Sequence, residues 1–185
     1  MNKQFLIILF PIFLTGCATL SKEECLQGHW FGIGRKDGEQ GYPATRFYEH
    51  EKACADYQVI ANLDVYQKGH LEGVRSYCTP SNGFNLGKQT KSYPDICPKD
   101  LEQPFLIQYE EGLKSALNAI QEEIGVENDE FYRQLELLRF IDNEGQRKKA
   151  KEELDKIENT VKSLETQRKN IIQLLDSVKA RKTSY

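Results

Sequence analysis

CLQGHWFGIGRKDGEQGYPATRFYEHEKACADYQVIANLDVYQKGHLEGVRSYCTPSNGFNLGKQTKSYPDIC, residues 25–97, holds four of the five cysteines, the only tryptophan and all three histidines. Three glycine pairs stand in it at four-residue spacing: Gly34/Gly38, Gly69/Gly73 and Gly83/Gly87, with Trp30, Tyr66 and Phe84 beside or inside them. On a helix this spacing puts both glycines on one face, where another backbone can approach closely. Each glycine costs a helix in water about 1 kcal/mol relative to Ala, so close packing or a turn must compensate. Lys36, Asp37, Lys68 and Glu72 exclude an intramembrane dimer motif, which needs an apolar span. The pattern reads as weak internal repetition, three related turns packing together, with chance or loop chemistry as the alternative.

A chain of 185 residues suits one domain, or a small domain with an appendage. Its net charge of −3 excludes the basic balance that nucleic-acid binding requires. Upstream, Met1-Asn2-Lys3-Gln4 is a short positive segment and Phe5–Leu14 an apolar run around one proline. That run is too short to span a bilayer, which takes about twenty residues, and reads as an export signal. Leu14-Thr15-Gly16-Cys17 then resembles the signal of bacterial lipoproteins, whose lipobox ends in a small residue before an invariant cysteine. The resemblance implies cleavage after residue 16, a diacylglyceryl group on the Cys17 thiol and an acyl chain such as palmitate on the new amine. Such a set of chains anchors stably. Ala18 in place of Asp resembles the sorting pattern for the outer membrane, so the expected location is that membrane, lipid-anchored and facing the periplasm.

Four cysteines remain: Cys25, Cys54, Cys78 and Cys97. In an exported protein they read as two disulfides with three possible pairings. Ser21-Lys22-Glu23-Glu24 is a capping box, so a helix starts near Lys22 with Cys25 in its first turn. Pro43 fits the first position of a second helix, running to about Tyr57, and Asp64 fits the N-cap of a third. If the first two helices form an antiparallel hairpin, Cys25 meets Cys54, and Cys78 meets Cys97 across a Thr79-Pro80-Ser81-Asn82-Gly83 turn. The sequential pairing is favoured on that geometry. Cys25/His29 and His50/Cys54 are also i, i+4 pairs that facing helices could close into a zinc site. An oxidising compartment joins the same two cysteines instead, and no metal or cofactor is expected.

The run Trp30…Gly34…Asp37-Gly38…Arg46…His50…Cys54, then Asp64-Val65-Tyr66…Gly69…Gly73…Tyr77-Cys78-Thr79-Pro80…Asn82-Gly83-Phe84…Gly87…Tyr93…Cys97-Pro98, is similar to a family of small Gram-negative lipoproteins known only as a domain of unknown function. The similarity covers about residues 20–110, and Lys88-Gln89-Thr90-Lys91 departs from a more glycine-rich stretch of the family pattern. The resemblance implies an envelope lipoprotein and brings no catalytic residue. From the residues themselves, Arg35, Asp37, Arg46 and His50 could line a polar site between the first helices. The plainer reading is structural hydrogen bonding that ties a tight hairpin. Gly32-Ile33-Gly34…Gly38 lacks the preceding strand and the spacing of a dinucleotide loop.

After Pro98, Glu, Lys, Gln and Leu replace glycine and cysteine. Pro104 to about Ile124 reads as a helix, Gly125 interrupts it, and Asn128 or Asp129 caps a continuation to Ile141. Asp142-Asn143-Glu144-Gly145 reads as a turn. Ala150, Leu154, Ile157, Val161, Leu164, Arg168, Ile171, Leu175 and Val178 then follow a heptad, with only Arg168 polar.

The expected fold is mainly α: a signal peptide at 1–16, a disulfide-stapled helical domain at 17–98, and an antiparallel coiled-coil hairpin at 99–185. A free C-terminal helix that self-associates through its heptads is the alternative. The expected role is non-catalytic, through the membrane anchor and an envelope protein or peptidoglycan partner. The alternative is a small periplasmic enzyme or ligand-binding protein using the polar residues.

Overall fold

The computed structural model describes residues 19–183. Among these the chain is helical without strands, in the order α1 (Lys22–Gln27), α2 (Trp30–Glu39), a 3-10 turn (Ala44–Arg46), α3 (Phe47–Ala55), α4 (Leu63–Tyr77), α5 (Pro80–Lys88), α6 (Lys99–Leu137), a second 3-10 turn (Leu138–Phe140) and α7 (Glu144–Lys182). The mainly helical fold with a long C-terminal helical hairpin is as the sequence indicates.

Local signals account for most helix starts. Ser21 accepts from the Glu24 N–H while the Glu24 carboxylate accepts from the Ser21 N–H, completing the capping box of α1. Gly28 ends α1 at φ 61°, a left-handed geometry that glycine adopts without a Cβ penalty. The cap of α4 is Asn62 and not Asp64, because Asn62 has the extended backbone and accepts from the Val65 N–H. Pro43 precedes a 3-10 turn, and α3 ends at Ala55, two residues short of Tyr57. Thr79 caps α5 with Pro80 at its first position, so residues 79–83 open a helix where a turn is expected from sequence.

The glycine pairs lie on helices, and their bare faces are where helices meet. A Cβ on Gly34 would strike the carbonyl oxygen of Tyr66, and one on Gly38 would strike that of His70 and stand 2.6 Å from the Val74 nitrogen. In return Gly69 and Gly73 lie against the carbonyls of Phe31 and Arg35. α2 and α4 are thus packed backbone to backbone. The second crossing repeats the register: Gly83 meets the Phe105 carbonyl, Gly87 that of Tyr109, and Gly112 that of Phe84. The three pairs therefore build two helix crossings, α2 with α4 and α5 with α6, rather than three turns.

Two disulfides staple these units, Cys25–Cys54 and Cys78–Cys97, with Cα–Cα distances of 5.4 and 5.6 Å. The first does not close a simple two-helix hairpin, because α2 lies between α1 and α3. It sits in a core of Leu20, Trp30, Phe47 and Tyr66. A second core joins Phe105, Leu106, Tyr109, Leu113 and Ala116 of α6 to Ile171, Leu175 and Val178 of α7. The Tyr77 ring, stacked 5.9 Å from Phe105, connects α4 to it.

α6 and α7 each run 39 residues, about 58 Å, and pair antiparallel: Arg181 and Lys182 at the end of α7 reach Glu102 and Glu110 near the start of α6. Gly125 does not interrupt α6, and no second cap is needed at Asn128 or Asp129. A mid-helix glycine costs about 1 kcal/mol, whereas a break would strand end groups on both sides and open the seam with α7. The heptad residues Leu154, Ile157, Leu164, Ile171, Leu175 and Val178 are buried along that seam. Arg168 stays half-exposed in an ion pair with Glu165.

Candidate functional site

The chemistry-bearing residues gather where α2, α3 and α4 meet. Asp37 lies on the buried face of α2, one residue before the contact glycine Gly38, so the crossing that admits α4 also buries its carboxylate. His50 projects from α3 and Tyr66 from α4. The Tyr66 hydroxyl donates to Asp37 Oδ2 at 2.7 Å, and His50 Nε2 reaches the same oxygen at 2.7 Å. An ionised carboxylate only accepts, so Nε2 carries a proton. His50 Nδ1 stands 2.8 Å from Thr19 Oγ1 on the N-terminal segment. Arg46 brings Nε to 3.4 Å from Asp37 Oδ1 without a hydrogen bond, and its guanidinium lies 3.7 Å over the Tyr42 ring. His70 Nε2 donates to the Tyr42 carbonyl at 2.7 Å and its ring stacks on Tyr66.

Burial alone would raise the Asp37 pKa. The hydrogen bonds from His50 and Tyr66, with the charges of His50 and Arg46, outweigh burial and hold the carboxyl below its ordinary 3.8. Burial, and then the bond to Asp37, push the Tyr66 hydroxyl far up.

Of the four polar residues singled out in the sequence, Asp37, Arg46 and His50 come together. Arg35 stands apart, exposed and paired with Glu39. Two residues on a helix differ by about 200°, so Arg35 and Asp37 cannot share a face. Sequence reasoning missed Tyr66 and Thr19 as members. Tyr66 sits three residues before Gly69, on the side of α4 that meets α2, and that was the available signal. Thr19 carries none.

Hydroxyl, imidazole and carboxylate are aligned as Thr19–His50–Asp37, an order that acyl-transfer sites use. Yet His50 is 1% exposed and Asp37 6%, and their polar atoms are spent on one another. The arrangement locks the N-terminal segment, α2, α3 and α4 together. A cleft of about 320 Å³ lies elsewhere, lined by Tyr93, Asp95, Leu106, Tyr109, Val178 and Arg181. Beside it Glu102 is buried, accepting from Tyr93 at 3.0 Å and from Arg181 at 2.6 Å, while Arg181 pairs with Asp95.

Asp37→Asn tests this locking role. It removes the charge that faces Arg46, turns an amide N–H2 toward the guanidinium, and leaves His50 and Tyr66 donating to a neutral oxygen in the Oδ2 place, at a cost of about 1–3 kcal/mol. A carboxyl with a lowered folded pKa contributes stability that is present above its unfolded value, near 3.8, and is lost as pH falls through the lower folded one. Urea midpoints measured between pH 7 and pH 2.5 should therefore converge for the wild type and Asp37→Asn at the acid end. Parallel curves would contradict the ionised network.

Cys17 and the segment 1–16 lie outside the described residues. No curated protein and no solved structure matches the chain. A family model, described as "Protein of unknown function (DUF2799)", matches residues 29–114. That span opens at the residue before α2 and closes two residues after Gly112, so it contains both glycine-packed crossings and the whole Asp37 network except Thr19. Residues 29–114, which hold both crossings, are similar to the DUF2799 family, proteins of unknown function.

Proposed function

We propose that this protein is a lipid-anchored lipoprotein on the periplasmic side of the outer membrane. It works non-catalytically, by contact with an envelope protein or with peptidoglycan. The lipobox at Cys17 and two disulfides support the compartment. The observation that carries the contact role is the far end of the hairpin. There Tyr132 is 67% and Phe140 77% exposed, beside a half-exposed Leu137. Exposed apolar side chains grouped at one place mark interaction surfaces. The α7 seam is already filled by α6, whereas these side chains at the tip are open to a partner.

A photo-crosslinking amino acid at Phe140 in intact cells is expected to give a discrete adduct, and the same group at exposed Lys148 a weaker one. Absence of any adduct at both would count against the contact role. The alternative, a small periplasmic enzyme or ligand-binding protein, has the Thr19–His50–Asp37 alignment in its favour, and the burial of His50 and Asp37 against it.

A further inference from the structure

The described chain is already fixed at its first two residues. Thr19 is bonded to His50, and Leu20 is buried in the core around the Cys25–Cys54 disulfide. Ser21 then caps α1. Cys17 is only two residues before Thr19, and two Cα steps span at most about 7.6 Å. An acylated Cys17 would therefore have no linker, and the domain could not stand off from the leaflet that holds its chains.

The surface beside that point suits a lipid interface. Lys22 and Leu26 are i, i+4 on α1 and share a face. The Lys22 ammonium lies 5.9 Å from the centre of the Tyr57 ring, which sets Tyr57, at the start of the loop after α3, beside that face. Leu26 is 60% exposed, and Ile60, three residues beyond Tyr57, is 93% exposed. A lysine, a tyrosine and two aliphatic side chains are the residue types that settle at the headgroup boundary. The aliphatic groups enter the acyl region, while the phenol and ammonium stay at the polar level.

We infer that the N-terminal domain is seated flush on the membrane, with Leu26, Tyr57 and Ile60 in contact with the phospholipid leaflet carrying the Cys17 anchor. This rests on the lipid-anchor reading. The seat gives the domain a set orientation, which a flexibly tethered lipoprotein lacks.

The test uses full-length protein extracted from membranes and reconstituted into phosphatidylethanolamine–phosphatidylglycerol vesicles, with or without dibrominated acyl chains. Ile60→Trp places a fluorophore at a position with no packing role. Brominated lipid should quench the added emission at least twofold, while the buried Trp30 of the wild type is unaffected. Inserting ten Gly/Ser residues between Ala18 and Thr19 should abolish most of the quenching and leave flotation intact. Cys17→Ser should not float. If the wild type fails to float, the anchor reading falls and the seat with it. Flotation with unquenched, water-like emission from Ile60→Trp overturns the seat alone.

Discussion

Gly34→Ala is expected to destabilise the protein by more than about 3 kcal/mol, whereas Gly125→Ala should stabilise it by about 1 kcal/mol. The chemistry of the two changes is identical, and both remove the entropic handicap of glycine in a helix. They differ in what the new methyl meets. At Gly125 there is nothing within 4 Å, so only the propensity gain remains. At Gly34 the methyl runs into the Tyr66 carbonyl and comes to 3.0 Å from the His70 nitrogen, both of them backbone. Backbone inside a helix cannot swing away as a side-chain end can, so α2 and α4 must separate along their length. Insertion into a tight core already costs about 1–3 kcal/mol. Here separation also stretches the Tyr66–Asp37 bond, which spans the same crossing. Against a total stability of about 5–15 kcal/mol this is a large fraction. Urea or thermal denaturation followed by circular dichroism gives both values. A neutral Gly34→Ala would mean that α2 and α4 do not touch through their backbones.

The contrast between those two glycines also explains what could be read from the chain. The heptads were legible because Leu154, Ile157, Leu164, Ile171, Leu175 and Val178 repeat a local period that any partner helix would satisfy. The disulfide pairing is legible because helix starts bring Cys25 and Cys54 to matching ends, although a simple two-helix hairpin leaves out α2. Propensity in water disfavours helix at the glycine pairs and so points to turns there. What overrides propensity is the facing backbone, and a facing backbone leaves no local trace. Gly125 shows the opposite error: a residue read as a break is carried through by the packing on either side. Asp37, Arg46 and His50 were found because charged and titratable residues stand out in a glycine-rich stretch. Their partners Tyr66 and Thr19 come from 29 and 31 residues away, at separations set only by the fold.

Full reduction should unfold α1 to α5 while α6 and α7 keep most of their helical signal. The loops closed by Cys25–Cys54 and Cys78–Cys97 span 29 and 19 residues. Cross-links of that size each contribute about 3–4 kcal/mol by restricting the unfolded chain. Together they rival the net stability of a domain this small, whose core is lined in part by glycine rather than by side chains. The hairpin should outlast both bridges: Cys97 packs against the edge of its core, but α6 and α7 themselves contain no cysteine and are closed at their base by Arg181 with Glu102 and Lys182 with Glu110. The two bridges should also differ in rate. Cys25 and Cys54 are fully buried, whereas Cys97 is partly exposed, so a reductant reaches Cys78–Cys97 first and Cys25–Cys54 only after the α2–α4 unit opens. Timed alkylation with peptide mapping should show Cys78 and Cys97 labelled ahead of Cys25 and Cys54. Circular dichroism should then settle at a plateau set by α6 and α7, with the near-ultraviolet signal of Trp30 gone. A reduced protein that keeps that Trp30 signal would show that the glycine crossings hold the domain without their staples. Simultaneous labelling of all four cysteines would show that the domain opens as one unit.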